Sequence, residues 1–133
     1  MVKGKFEDYR FRQYKPLIGE ALVSVETIDD GGAVRFTLAD GRTLTYDAVG
    51  DCCSTSWIEF LTAPDLSNEP SVFDVTEPDM PPYPASGHLV DDDEIKHYHT
   101  AFHTPVGSIL VEYRNSSNGY YGGFLEGPRE KGV

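Results

Sequence analysis

Ala33-Val-Arg-Phe-Thr-Leu-Ala39, Asp40-Gly41 and Arg42-Thr-Leu-Thr-Tyr-Asp47 decide the fold class of this 133-residue chain. In the first segment Val34, Phe36 and Leu38 alternate with Arg35 and Thr37, the period-two pattern of a half-buried strand. Asp40-Gly41 is a strong hairpin signal, because a tight turn needs residues that accept positive φ. The return segment alternates again, with Leu44 and Tyr46 directed inward. Upstream, residues 21–28 read as another strand with Val23 and Val25 on one face, joined through the turn Asp29-Asp-Gly-Gly32. The three segments make an antiparallel meander.

Beyond the meander the period changes. Cys53, Trp57 and Phe60 or Leu61 fall at helical spacing, so a short helix is expected over about 52–62, capped by Asp51 or Ser54 and closed by Pro64. Residues 64–94 hold most of the prolines, together with nine acids and no Lys or Arg. They read as an irregular acidic insertion, with one short strand in Ser71–Thr76. Strands return at Ile95–Thr104 and Ser108–Arg114, the latter with Ile109, Val111 and Tyr113 on one face. Asn118-Gly119 suggests a tight hairpin into a last strand, Tyr120–Leu125, which would set Ser117 against Tyr120 and Arg114 against Gly123. The expectation is an α+β domain at 17–126: mainly antiparallel β-sheet, one short helix packed on it, and a long Pro-rich acidic loop. Residues 1–16 form a basic N-terminal extension, and 127–133 a tail.

Composition narrows the function. A hydrophobic fraction of 39% supports a folded domain, and a net charge of −11 opposes general nucleic-acid binding, which needs a basic face. No apolar run is long enough to span a bilayer, and the N-terminus has no signal-peptide core. With both cysteines spent on the adjacent pair Cys52-Cys53, a reducing cytoplasm is expected. The acidic stretch is read first as solvated loop, and second as a surface that docks on a basic partner.

Three constellations compete for chemistry. His97, His99 and His103 share one strand face, but no acidic or cysteine ligand is tied to them by spacing, so an ordinary polar face is preferred over a metal site. Cys52 or Cys53 at a helix start would gain thiolate character, but no local base accompanies them. No catalytic residue, metal or cofactor is assigned. The third constellation is a binding site beside Gly123, with Arg114 to grip a phosphate, Asn118 to read a base or ribose, and Tyr120 and Tyr121 as stacking surfaces; the competing reading is a plain turn at Asn118-Gly119 with packed tyrosines.

The order Asp40-Gly41, Asp51-Cys52-Cys53-Ser54, Ile58-Glu59, Ser117-Asn118-Gly119-Tyr120-Tyr121, with Arg114 on the penultimate strand, resembles a group of small proteins of tailed phages and prophages. That group is similar in turn to the first Thoeris anti-defence family of signal sponges. The resemblance covers about 17–125 and departs at Ser54, where the group carries an acid, and in the Pro-rich middle. It implies a non-enzymatic, homo-oligomeric counter-defence protein of the host cytoplasm that sequesters a small cyclic nucleotide signal. It also implies Arg114 as phosphate ligand, Asn118 as nucleotide contact, and Tyr120 or Trp57 as base platform. The alternative is an inhibitor that binds a host defence protein through its acidic surface. Neither reading involves nucleic acid or membrane.

Overall fold

The computed structural model describes residues 5–51, 54–79, 94–117 and 122–132. Its elements are α1 (Tyr9–Arg12), β1 (Leu22–Ile28), β2 (Ala33–Leu38), β3 (Thr43–Gly50), β4 (Thr55–Thr62), β5 (Asp74–Thr76), β6 (Glu94–Thr104), β7 (Gly107–Ser117) and β8 (Gly123–Lys131), with short 3-10 turns between some of them. The fold is α+β and mainly antiparallel. One sheet has the order β1-β2-β3-β8, the other β4-β7-β6-β5.

The meander forms as its alternation requires. Phe36 pairs with Val25 on one side and Leu44 on the other, and Val34, Phe36, Leu38, Leu44 and Tyr46 are all buried. They meet Val75, Phe102, Ile109, Val111 and Tyr113 of the second sheet in a single core. Phe36 and Phe102 join the sheets, their ring centroids 4.9 Å apart and steeply inclined, a favourable aromatic geometry. Val23 does not share the face of Val25. It is the extra residue of a bulge between Leu22 and Ser24 and stays 40% exposed.

The helix expected at 52–62 is instead β4, and Cys52 and Cys53 lie outside the described residues. A bulge explains the misleading period. Trp57 pairs with Arg114 and Phe60 with Glu112, so the extra residue between Ile58 and Phe60 puts side chains three apart on one face. Three-residue spacing is the helical signature, here produced by an interrupted strand. Asp51 is not a helix cap but a clamp: its N–H donates to Gly122 O at 3.1 Å, and its carboxylate accepts from Gly122 N at 3.2 Å.

The terminal hairpin is also replaced. β7 pairs with β4 and β6, whereas β8 crosses to the first sheet beside β3, so Gly123 faces Gly50 and Arg114 lies between Trp57 and His97. The expected Ser117–Tyr120 pairing lies outside the described residues. A turn signal specifies a change of direction, not the sheet that the next strand joins. Here the two sheets come too close for side chains: a Cβ on Gly50 would lie 2.6 Å from Asn115 Nδ2, and one on Gly123 would lie 2.6 Å from Ser56 Oγ.

The described parts of both end segments belong to the fold. Phe11 and Tyr14 are buried in the core together with Leu17 at the domain's start, so the segment read as a basic extension supplies apolar anchors. Gln13 Nε2 donates to Leu125 O at 2.9 Å, and Gln13 Oε1 accepts from Gly127 N at 2.9 Å. The segment read as a tail continues β8, with Lys131 paired to Thr43.

Candidate functional site

The outward face of the second sheet holds a buried charge network. Arg114, on β7, donates from Nη2 to Glu112 Oε2 at 2.9 Å, and its Nη1 lies 3.5 Å from Glu59 Oε1. Trp57 Nε1 donates to the other oxygen of Glu59 at 3.0 Å. His99 Nε2 lies 3.2 Å from Glu112 Oε1. Glu112 is fully buried, and His99 and Arg114 nearly so. Burial holds the His99 imidazole below its ordinary pKa; the neighbouring Glu112 carboxylate pulls the other way but is outweighed.

The network therefore brings together two sequence-derived site residues, Arg114 and Trp57, through Glu59. It also commits the Arg114 guanidinium to two carboxylates. A phosphate entering here would have to displace Glu112 from a buried pair, which would leave a charge stranded. Asn118, Tyr120 and Tyr121 lie outside the described residues. The three histidines separate: His97 is exposed, with its ring 5.8 Å from that of His99, whereas His103 bonds Thr76 Oγ1 at 2.8 Å and Ser108 Oγ at 2.7 Å. Among the described residues no group of three or more His, Cys, Asp or Glu is placed to hold a metal ion.

The inward face of the same sheet opens into a cleft. Where β6 and β7 extend past β5, Tyr98 and Tyr113 stack with centroids 5.0 Å apart and planes within 14°. The cleft beside them, about 560 Å³, is closed by Tyr14 from the N-terminal segment and by Phe124 and Leu125 from β8. Its polar lining includes Arg10, Glu77 and Glu126. A smaller cavity of about 250 Å³ adjoins it and shares Glu77, Tyr98 and Tyr113, adding Asp79, His97 and His99. Burial pushes the Tyr113 phenol well above its ordinary pKa, with the nearby Glu77 carboxylate adding to the shift. Burial does the same to Tyr14, so both phenols are neutral at physiological pH.

The volume suits a small organic ligand, in a lining that mixes aromatic rings with the charged groups of Arg10, Glu77 and Glu126. Phe124, 43% exposed, is an uncovered apolar wall. Tyr98 OH accepts from Gly123 N at 3.3 Å, which ties the cleft to the crossing of the sheets and to the Asp51 clamp. The period-two pattern of β6 already turns Tyr98 away from the histidine face. No sequence signal connects it to Tyr14 or Phe124, which arrive from opposite ends of the chain.

The model of a family described as a domain of unknown function, DUF7448, matches residues 15–125. The chain belongs to the DUF7448 family. No curated protein and no solved structure matches it. The DUF7448 span takes in Glu77, Tyr98, Tyr113 and Phe124 of the cleft, while Arg10, Gln13, Tyr14 and Glu126 lie outside it. Among the described residues no helix is long and apolar enough to cross a membrane.

Proposed function

We propose that this protein is a non-enzymatic binding protein that sequesters a small planar ligand in the cleft between its sheets. The observation that carries the reading is the cleft of about 560 Å³ walled by Tyr14, Tyr98, Tyr113 and Phe124. Aromatic faces of this kind stack on heterocycles with little regard to sequence context. The resemblance to phage proteins supplies the specific form: a counter-defence protein that holds a small cyclic nucleotide immune signal. In that form Arg10, at the cleft, replaces Arg114 as the phosphate partner, and Tyr98 replaces Trp57 as the platform.

Thermal unfolding against a panel of nucleosides, cyclic nucleotides and ADP-ribose isomers tests the proposal. A ligand at about 100 times its Kd should add roughly 2.7 kcal/mol of stability, and heat denaturation should release it unchanged. No shift with any member at high concentration would refute nucleotide sequestration. A chemically altered ligand would refute the non-enzymatic part.

A second reading, docking of a basic host defence protein, draws on Phe73, which is 61% exposed beside Asp74 in the acidic stretch. An apolar anchor within like charges is a common interface arrangement. Binding that weakens steeply with salt and with Phe73→Ala would support it; salt-independent binding would not.

A further inference from the structure

The charges around the cleft specify the ligand more closely than its volume does. Glu77, an exposed residue, lines both cavities, as do Tyr98 and Tyr113, so it borders the place where the two spaces adjoin. It makes no hydrogen bond or ion pair among the described residues. Glu126 and Asp79 add further carboxylates to the lining, against Arg10 as the sole Arg or Lys there among the described residues. Arg10 is itself engaged, with Nη2 3.3 Å from Asp8 Oδ2 and its guanidinium 5.4 Å from the Phe11 ring centroid. An open carboxylate beside an aromatic stack attracts N–H donors and positive charge, and repels carbonyl oxygens and phosphates.

We infer that Glu77 is the specificity-determining residue of the cleft, accepting a hydrogen bond from an amino group or cationic edge of a planar heteroaromatic ring stacked on Tyr98. The inference rests on the binding role proposed above and names the chemical class that this role selects. Aminated or cationic rings enter with that edge toward Glu77. Rings that present a carbonyl oxygen at the same place meet a carboxylate and are rejected. Any phosphate stays at the mouth, on the side of Arg10, whose guanidinium already has Asp8 as a partner.

The test uses two pairs of nucleosides differing in amino against keto: adenosine with inosine, and cytidine with uridine. Calorimetric titration of the full chain should find each amino member about tenfold tighter or more, since a site built to pair a donor discriminates strongly against its absence. Glu77→Gln should lower affinity for the amino members and bring each pair to within about threefold, because the amide offers the keto ring a donor. Glu130→Gln, a change of the same charge outside both cavities, should leave the discrimination intact. Equal binding of both members to the wild type, or discrimination that survives Glu77→Gln, overturns the assignment of Glu77 while leaving the cleft a binding site. No binding of any nucleoside overturns the assignment together with the nucleotide reading. The melting temperature of each unliganded variant confirms that the fold is retained.

Discussion

Along β7, Ile109, Val111 and Tyr113 face the first sheet and Glu112 and Arg114 face away, and both sets are buried. The inward set belongs to an apolar core that gives way at one end to an aromatic cleft. The outward set joins Arg114, Glu112, Glu59 and His99 in one electrostatic unit. An arginine in mid-strand suggests anion binding on either face, yet its two carboxylate partners have already taken the anion's place. The tyrosines inspire no such expectation from sequence, but they line the space that stays open. The difference teaches that a site is marked by groups left with capacity to bind, not by the reactivity of the side chain considered alone.

The comparison breaks most easily at Glu112. Glu112→Ala should destabilise by about 3–5 kcal/mol in urea unfolding, because it strands a buried guanidinium. Replacing Glu112 and Arg114 together by Met should cost less than that single change, since the charge and its counter-charge leave together. A double variant as unstable as Glu112→Ala would mean that the outer face does more than balance its own charges. Ile109→Ala, the matching change on the inward face, should cost about 2–5 kcal/mol through lost packing and a residual cavity. No partner substitution should rescue it.

The crossing of the sheets offers a smaller effect. Gly50→Ala places a Cβ into Ser54 Oγ and within 2.6 Å of Asn115 Nδ2, so roughly 1–3 kcal/mol of destabilisation is expected. Little change would mean that the sheets separate readily there. Smallest is the response of His99 to pH. Its folded pKa lies below the ordinary imidazole value, so on acidification the unfolded chain takes up a proton before the folded one does. Stability should therefore fall as pH drops below about 6.5 and level off beneath the folded pKa. The groups facing His99 are Glu112, His97 and Arg114. His99→Gln should remove that part of the slope. A wild type that gains on His99→Gln with acidification would show that Glu112 outweighs burial.

Much of the first sheet was legible because its strands follow strict alternation with one face buried, as Val34, Phe36 and Leu38 do. Legibility failed where an extra residue shifts the phase. The bulge at Glu59 turns Trp57 and Phe60 to one side and imitates a helix, and the bulge at Val23 moves that valine off the face of Val25. It failed again at β8, where Gly123 pairs with Gly50 across a contact that no local pattern encodes. The Asp51 and Gly122 segments were each conspicuous in sequence, but only the fold brings them together through two hydrogen bonds. The cleft was hidden for the same reason, since Tyr14, Tyr98 and Phe124 meet only after the sheets close.

Calorimetric titration of adenosine into the wild type, Tyr98→Ala and Trp57→Ala tests the central claim most directly, because each variant removes one aromatic from one face of the second sheet. If the ligand lies between the sheets, Tyr98→Ala loses roughly 1–3 kcal/mol of binding, the range for one stacking aromatic. Trp57→Ala then stays within about 0.5 kcal/mol of the wild type. The opposite order, with Trp57→Ala losing affinity and Tyr98→Ala retaining it, would place the ligand on the Arg114 face and contradict the account.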